Sequence, residues 1–268
     1  MNQLTLDEPY LSAGYTEQDL LLTAFLASEP ATTDAIEICV RQNAVQRVPL
    51  LQGLNAATSN APGYEVVEFH PFEPVSKLTR AIVIKTAVEA PRLASQGADV
   101  DQSAVSARLQ SPASTGQALC VAKGAPQVIL QLCQVTDPAV QQAINSMAQR
   151  GLRALGVCRA LRMKDTVSLT SSELHWELVG IISLLDPPRH DSASTIAECK
   201  EYGISVKMIT GDAVLIAQEV ARRMGMPPNI LSPAVLHDAD HDELNAIQLC
   251  LQADGFAQVL YEFLLHPH

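Results

Sequence analysis

The spacing of apolar residues in the first half of the chain predicts helices that alternate with strands. Apolar positions three and four residues apart predict a helix over 17–29 and a second helix that begins near Thr32 or Thr33, either of which could cap it. Alternation of apolar and polar residues predicts strands, because successive side chains of a strand point to opposite faces. The further elements predicted in this half are strands at 64–72, 79–85 and 118–124, helices at 125–133 and 137–150, the second ended by Gly151, and a strand at 152–162.

The second half begins with a nearly continuous apolar run from His175 to Asp186, which is typical of a strand buried on both faces. The elements predicted after it are a helix over 191–202 ended by Gly203, a strand over 204–210 and a helix opened by Asp212. Strands that alternate with helices predict a parallel, doubly wound sheet. We therefore predict an α/β fold, with a mixed first domain and a parallel second domain that meet near Thr170.

Residues 86–117 interrupt this pattern with a segment rich in Ala, Ser, Gln and Gly. The segment has no sustained period and no apolar residue larger than Leu, so it offers little surface for burial in a core. We predict that it is a mobile insertion between two strands.

Composition and charge narrow the classes of function. The 268 residues carry a net charge of −11 and are 47% hydrophobic, which allows a core but makes a poor surface for DNA, RNA or anionic lipid. Six scattered cysteines without a C-x-x-C spacing argue against zinc and against a disulfide framework. The chain does not begin with a basic segment and an apolar run, and no run reaches the roughly 18 apolar residues of a membrane helix. We therefore expect neither a signal peptide nor a membrane span.

Two corners in the second half carry candidate chemistry. Thr210, Gly211 and Asp212 lie where a predicted parallel strand turns into a helix, so a hydroxyl, a close backbone approach and helix N–H groups would all face an anion. In LLDPPRHDS, two prolines fix the chain that leaves the apolar strand, and Asp186 and Arg189 could pair across the turn. Taken alone, these corners also fit an ordinary capped helix and a surface ion pair.

Two turns in the first half of the chain carry residues that could bind a nucleotide. Lys123 and Gly124 of KGAP put an ammonium group at a strand end just before a helix, where it could meet an anion. Phe72 and Lys77 lie five residues apart across a proline-containing turn, an arrangement that suits stacking on a base and contact with its phosphates. A core phenylalanine and solvated lysines are the alternatives for these residues in isolation.

Taken together and in this order, five segments resemble the cytoplasmic region of P-type cation-transporting ATPases: EFHPFEPVSK, VAKGAP, RGLRALGV, LVGIISLLDPPR and KMITGDAVLIAQEVARRMGM. They are most similar to the plasma-membrane proton-pump subfamily, and the resemblance covers nearly all of 1–257 apart from the insertion. It implies a nucleotide-binding domain, with a mainly antiparallel sheet flanked by helices, inserted into a phosphorylation domain of the haloacid-dehalogenase type with a parallel sheet.

The resemblance also implies domain limits. Residues 1–13 would be the N-terminal segment of the phosphorylation domain, and 14–170 would be the nucleotide-binding domain that carries the insertion. Residues 171–257 would be an incomplete phosphorylation domain, and 258–268 a divergent tail.

Roles of individual residues follow from the same resemblance. Phe72 matches the ring that stacks on adenine, and Asp34 occupies the place of an acidic residue near the adenine amino group. The other residues implied to contact the nucleotide are Lys77, Lys123, Gly124 and Arg153. The loop implied to receive the transferred phosphoryl group is Thr210, Gly211 and Asp212, and the motif beside the hinge is Asp186 and Arg189.

The resemblance breaks down at both ends of the chain. In the family, an aspartate within DKTGT takes the γ-phosphoryl group; this sequence lacks that motif, and its first residues, NQLTLDEPY, resemble the segment that follows it. After ADGFAQV the chain continues into LYEFLLHPH instead of PEHK, and the TGDGVNDAP segment with its magnesium-binding aspartates is absent. We predict that the chain binds ATP or ADP, with Mg²⁺ accompanying the nucleotide in the parent enzyme, and forms neither a metal site of its own nor a phosphoenzyme.

The predicted function is that of an ATP-binding cytoplasmic part of a pump whose parent exports cations, protons by subfamily similarity. Its partners would be ATP or ADP and complementing parts of the same pump, not nucleic acid. Without its neighbouring strands, the apolar strand at 175–186 is expected to have an uncovered edge, which would make the second domain less stable than the first. Two alternatives stay open: a non-catalytic interaction or regulatory protein, and a stand-alone phosphatase of the haloacid-dehalogenase class, for which Asp7 lacks the D-x-D context.

Overall fold

The structure, a computed structural model, describes residues 4–86, 114–162, 174–235 and 243–259. Contacts divide the chain into a larger unit, Leu4–Val140 with Ala154–Leu184, and a smaller unit, Gln141–Arg153 with the described residues from Leu185 onward. The elements as far as Leu185 are β1 (Thr5–Leu6), β2 (Tyr10–Leu11), α1 (Glu17–Leu26), α2 (Ala35–Arg47), β3 (Tyr64–Glu73), β4 (Leu78–Thr86), β5 (Ser114–Gly124), α3 (Pro126–Leu132), α4 (Pro138–Gln149), β6 (Leu152–Arg162) and β7 (Trp176–Leu185).

One seven-stranded sheet organises the larger unit. Its strand order is β1–β7–β6–β5–β4–β3, and β2 also pairs with β7. Strands β3 to β6 pair antiparallel, with Ala81 opposite both Phe69 and Val121, and with Val121 opposite Arg159. The strands predicted in the first half of the chain are therefore confirmed.

Helices α1 and α2 cover one face of this sheet and form its core. The core residues that they contribute include Leu20, Leu21, Ala24, Phe25, Val40 and Ala44, and those from the sheet include Ala81, Val83, Val121, Val157, Val179 and Ile182. Ala81 and Val83 are two apart on β4, and Val121 lies opposite Ala81, so these residues share a face. Burial of this apolar face is the main term that stabilises the larger unit.

Both helices begin at side-chain caps. The hydroxyl of Thr16 accepts a hydrogen bond from the N–H of Asp19 at 3.2 Å, and the Asp19 carboxylate accepts one from the N–H of Thr16 at 2.9 Å. Helix α2 begins after Asp34, so the prediction that Thr32 or Thr33 caps it is wrong. The Thr32 hydroxyl accepts instead from the N–H of Asp34, at 3.1 Å, and so positions the true cap.

Strand β7 lies inside the larger sheet. It pairs with β1 and β2 and has β6 as its other neighbour, and its residues from 178 to 184 are all buried. The prediction that this apolar run opens the parallel sheet is therefore wrong, and so is the expectation that its edge is uncovered. The N-terminal strands supply the pairing, with Tyr10 opposite Ile181 and Leu11 opposite Gly180.

Gly180 allows this close pairing. A Cβ atom at Gly180 would lie 2.4 Å from the carbonyl oxygen of Tyr10 and 3.3 Å from a methyl carbon of Leu20. Because strand pairing fixes that oxygen, the strands would have to shift, and we expect Gly180→Ala to lower the free energy of unfolding by about 1–3 kcal/mol. Urea unfolding followed by the fluorescence of Trp176, the single tryptophan of the sequence, measures this. An unchanged midpoint would contradict the tight β2–β7 contact.

The limits of the predicted insertion at 86–117 are only partly right. Thr86 is the last residue of β4 and pairs with Ser114, the first residue of β5. Both ends of the predicted insertion therefore belong to strands, because the ladder continues beyond the point where the alternating pattern stops. Residues 87–113 lie outside the described residues, and their predicted mobility stays a prediction.

The smaller unit contains a short parallel sheet. Its elements after β7 are α5 (Ser192–Glu201), β8 (Met208–Ile209), α6 (Val214–Arg223), β9 (Ile230–Leu231), α7 (Glu243–Gln252) and β10 (Gly255–Phe256). The three strands lie in the order β8–β10–β9 and pair in parallel. Its small core consists of Ala217, Ala221, Met226, Ile230 and Ala257. A mainly antiparallel sheet with helices and a small parallel sheet together confirm the α/β fold class.

Two predictions about this unit need correction. The strand predicted over 204–210 shrinks to Met208–Ile209. Helix α6 starts after Ala213 without a side-chain cap, so the prediction that Asp212 caps it is wrong. The helix predicted before Gly203 is confirmed, and Gly203 ends it with a φ of +73°.

The predicted domain limit near Thr170 lies outside the described residues. Strand β7 groups with the larger unit, which ends at Leu184, and the assignment of 14–170 and 171–257 to two named domains stays a prediction. All six cysteines are free thiols. Within the described ranges, no three metal-ligating side chains gather at one point, and no helix is both long and apolar enough to cross a membrane.

Candidate functional site

The turn between β3 and β4 exposes an aromatic ring. Phe72, near the end of β3, has 59% of its surface exposed, and Val75 at the tip of the turn has 89% exposed. Lys77 closes the turn with a φ of +54°, its N–H donating to the carbonyl of Glu73 at 2.7 Å. A phenylalanine that exposes its ring is open to a stacking partner. The alternative of a core phenylalanine does not hold for Phe72.

The structure brings this turn against the KGAP corner. Gly124 lies opposite Leu78, and the N–H of Ala125 donates to the carbonyl of Lys77 at 3.1 Å. A Cβ atom at Gly124 would lie 2.2 Å from that same carbonyl oxygen, so only glycine fits there. The ends of β3 and β5 and the start of β4 therefore meet at one end of the sheet, where the candidate residues of the larger unit gather.

Lys123 is buried and paired, whereas the sequence predicts an ammonium group offered to an anion. Only 3% of the residue is exposed. Its Nζ forms a hydrogen-bonded ion pair with Glu37 and donates to the hydroxyl of Thr79 at 3.1 Å. Burial lowers the pKa of Lys123, while the negative charge of Glu37 acts in the opposite direction. The side chain thus links β5 to α2 underneath the corner.

The two acidic residues at the start of α2 have different roles: Asp34 caps the helix, and Glu37 pairs with Lys123. The carboxylate of Asp34 accepts hydrogen bonds from the N–H groups of Ile36 at 2.8 Å and Glu37 at 3.0 Å, as a helix cap does. The acidic group that reaches the corner is Glu37, which sequence reasoning missed. The helical spacing of Glu37, Val40 and Ala44 could have revealed it, because these residues lie on the buried face of α2. A carboxylate on a buried face needs a buried cation as its partner.

In the smaller unit, Arg153 joins two of the predicted acidic residues. Its Nε lies 2.9 Å from one carboxylate oxygen of Asp212, its Nη2 lies 3.0 Å from the other, and its Nη1 lies 3.4 Å from Asp186. Burial acts to lower the pKa of Arg153, but hydrogen bonding and the charges of Asp212 and Asp186 outweigh it and raise this pKa. A two-pronged contact of this kind fixes the plane of the guanidinium group. Asp186 therefore pairs with Arg153, and the predicted pairing with Arg189 is wrong.

The loop of Thr210, Gly211 and Asp212 is held by its own hydrogen bonds. The hydroxyl of Thr210 accepts from the N–H of Asp212 at 3.1 Å, and the N–H of Thr210 donates to Phe256 of β10 at 3.0 Å. A Cβ atom at Gly211 would have only the carbonyl oxygen of Val259 near it, at 3.7 Å, so the packing does not demand glycine here. Gly211 is exposed, whereas Thr210 and Asp212 are half-buried.

Comparison with known proteins gives relatives along almost the whole chain. The plasma membrane ATPase of Zygosaccharomyces rouxii is 34% identical over 270 residues, which are 96% of this chain and 24% of that protein. Plasma membrane ATPase 2 of Schizosaccharomyces pombe is 35% identical (96% of this chain, 22% of that protein), and plasma membrane ATPase 1 of Saccharomyces cerevisiae is 32% identical (96% and 24%). No family model matches the chain. The chain spans about a quarter of the length of these curated relatives.

Proposed function

This chain is a homologue of the P-type plasma membrane ATPases, and from that premise we propose that it binds ATP or ADP. The observation that carries the proposal is the exposed ring of Phe72 at a sheet end that also presents Lys77 and Gly124. Adenine would stack on this ring, because every base has a flat face that an exposed aromatic side chain can cover. The exposed ammonium group of Lys77 would lie at the same corner to meet negative charge.

The buried residues of the corner have a supporting part in this proposal. Lys123, held by Glu37 and Thr79, would form the floor of the pocket beside Gly124, where the absent side chain lets a ligand approach the backbone. Asp34 would lie toward the adenine amino group only if its carboxylate can serve both as a helix cap and as an acceptor. Glu37 is the better placed acidic group, since it already reaches the corner.

In the smaller unit, we propose that Arg153 contacts the nucleotide phosphates. Asp212 and Asp186 hold its guanidinium group in a fixed plane, which suits a two-pronged contact with a phosphate. Thr210 would offer its hydroxyl, and Gly211 its backbone N–H, to the phosphoryl group that the parent pump transfers. Arg189, exposed beyond the paired prolines, would belong with Asp186 to the hinge of the parent pump.

Mg²⁺ would arrive with the nucleotide. The two carboxylates of the smaller unit that lie near Arg153 are already paired with it, so Asp186 and Asp212 do not present an open set of oxygens to a metal ion. Mg²⁺ is commonly held through substrate phosphates and water in such sites. It would reduce the negative charge of the phosphates.

The activity of the parent pump is a further proposal. It would couple ATP hydrolysis, through an aspartyl phosphate, to cation export, with protons as the cation by similarity to the plasma membrane ATPases. For the residues of this sequence, which contains no DKTGT segment, we propose nucleotide binding alone. It would act at the cytoplasmic face of the membrane, together with complementing parts of the same pump.

Phe72→Ala tests nucleotide binding directly. Stacking on an aromatic side chain contributes about 1–3 kcal/mol per base, so we expect the affinity for a fluorescent adenine nucleotide to fall by about 5- to 150-fold. Val75→Ala is the matched control, because it removes an equally apolar and more exposed side chain from the same turn. Neither change should alter the urea midpoint. Equal affinity in Phe72→Ala and the original protein would count against the proposed pocket.

A further inference from the structure

The face of the sheet opposite α1 and α2 brings two cysteines of the larger unit together. On β6, Gly156 lies opposite Gly124 and Cys158 lies opposite Ala122. Residues two apart on a strand point to the same face, so Gly156 and Cys158 share one face. Val157 points the other way, into the core beneath α1 and α2.

Helix α3 covers this second face. A Cβ atom at Gly156 would lie 2.7 Å from the Cβ of Ile129, a fully buried residue of α3, so helix and strand touch at this point. The N–H of Cys133 donates to the carbonyl of Ile129 at 2.9 Å, one turn further along the helix. Residues four apart lie on the same side of a helix, so Cys133 faces β6 as Ile129 does. The side chains of Cys158 and Cys133 are hydrogen-bonded to each other.

We propose that Cys133 and Cys158 form a redox modification site, in which peroxide joins the two thiols as a reversible disulfide. Their hydrogen bond makes the two thiols neighbours on this face of the sheet. The two thiols also differ in access: Cys133 is partly exposed at the end of α3, whereas Cys158 is fully buried. A pair with one reachable and one shielded sulfur has the arrangement of an attacking and a resolving cysteine.

The reaction runs in two steps that balance. The thiolate of Cys133 attacks the O–O bond of hydrogen peroxide, which gives a sulfenic acid, and the leaving hydroxide takes up the proton lost by the thiol to become water. The sulfur of Cys158 then attacks the sulfenic sulfur, so the S–S bond forms, the S–O bond breaks, and the hydroxyl leaves with the thiol proton as a second water. In total the two thiols lose two electrons and two protons, and one peroxide becomes two waters.

The surroundings fix the order of the two steps. Burial raises the pKa of Cys158 well above its ordinary value, the hydrogen bond to Cys133 raises it further, and Arg80 acts in the opposite direction. Cys158 is therefore protonated at neutral pH and does not react first with an oxidant. Cys120 lies diagonally across from Cys158 on the same face, since Ala122 is opposite Cys158, and it is the competing partner for the resolving step.

Peroxide treatment of the full chain, followed by denaturing thiol titration and peptide mapping, tests the proposal. The reduced protein should titrate with six thiols, and the oxidised protein with four, that is, six less the two that are joined. The map should show one peptide pair joined through Cys133 and Cys158, and a dithiol reductant should restore six thiols. The joined protein should be lighter by two hydrogen atoms and remain a single chain.

Three variants make the result specific. Cys133→Ser and Cys158→Ala should each abolish the cross-link, whereas Cys199→Ser, which removes a partly exposed thiol from the smaller unit, should keep it. Trp176 fluorescence should confirm that each variant is folded before oxidation. Oxidation of Cys133 to a sulfinic acid without a cross-link, a link through Cys120, or links between separate chains would each overturn the proposal.

Discussion

Replacing Lys123 by methionine should lower the free energy of unfolding of the larger unit by about 3–5 kcal/mol. Among the described residues, the change leaves the carboxylate of Glu37, which is 8% exposed, with the N–H of Glu29 at 3.2 Å as its remaining hydrogen-bond donor. An unpaired charge at this depth is far more costly than the loss of the attraction itself. Urea unfolding followed by Trp176 fluorescence reports on the right unit, because Trp176 is the single tryptophan and lies in β7.

The partner change separates the ion pair from the packing around it. The double variant Lys123→Met with Glu37→Leu should recover most of the loss, because an apolar pair of similar volume carries no desolvation penalty. Lys77→Met is the matched control: it removes an exposed lysine from the adjoining turn and should change stability by less than about 0.5 kcal/mol. A single variant no less stable than Lys77→Met would show that Glu37 reaches water and that the pair is not structural.

This pair also governs how nucleotide binding by Lys123 variants should be interpreted. Because the ammonium group already has Glu37 and Thr79 as partners, a loss of affinity in Lys123→Met can arise from an altered corner as well as from a lost ligand contact. A loss of affinity in Phe72→Ala has a single interpretation, because the exposed ring of Phe72 is not part of the hydrophobic core. Affinity in the double variant, where the corner is repacked without charge, distinguishes the two causes.

The regular elements can be predicted from the sequence because each of them buries one face. Strands β3 to β6 alternate because one side of the sheet meets α1 and α2, and helix α4 ends two residues before Gly151, whose φ of +72° favours glycine. The pairing of β7 cannot be predicted in this way. Its apolar run shows burial on both faces but not the sheet it joins, and its partners β1 and β2 are two residues each, too short to show a period.

The candidate site likewise contains residues that the sequence predicts and contacts that it does not predict. The turn of Phe72 and Lys77 can be found from local chemistry, because a ring and a cation flanking prolines need no distant partner. The partners of Lys123 and Arg153 cannot, because the separations of Glu37 from Lys123 and of Asp212 from Arg153 are 86 and 59 residues. Only the folded chain shows that Asp212 pairs with Arg153 instead of capping a helix.

Replacing Arg41 by methionine should destabilise the larger unit by an amount similar to the loss of Lys123, about 3–5 kcal/mol. The guanidinium group is 4% exposed and donates to four carbonyls, those of Ala56 at 2.6 Å, Ser59 at 2.8 Å, Ser28 at 3.1 Å and Phe25 at 3.4 Å. Burial lowers its pKa to about 10, so the group is still charged at neutral pH. Without it, buried carbonyl oxygens at the end of α1 and in the loop after α2 lose their donors.

The five fixed donors of arginine are the reason why lysine should not rescue this site. One ammonium group cannot span carbonyls on both sides of α2, and it cannot lie flat over the Phe25 ring, whose centroid is 4.1 Å from the Arg41 guanidinium carbon. We therefore expect Arg41→Lys to remain within about 1 kcal/mol of Arg41→Met. The matched control is Arg47→Met on the same helix, where a solvent-exposed pair with Glu17 contributes about 0–1 kcal/mol. If Arg41→Met loses no more than Arg47→Met, or if Arg41→Lys matches the original protein, the carbonyls have other donors and the loop after α2 does not depend on this residue.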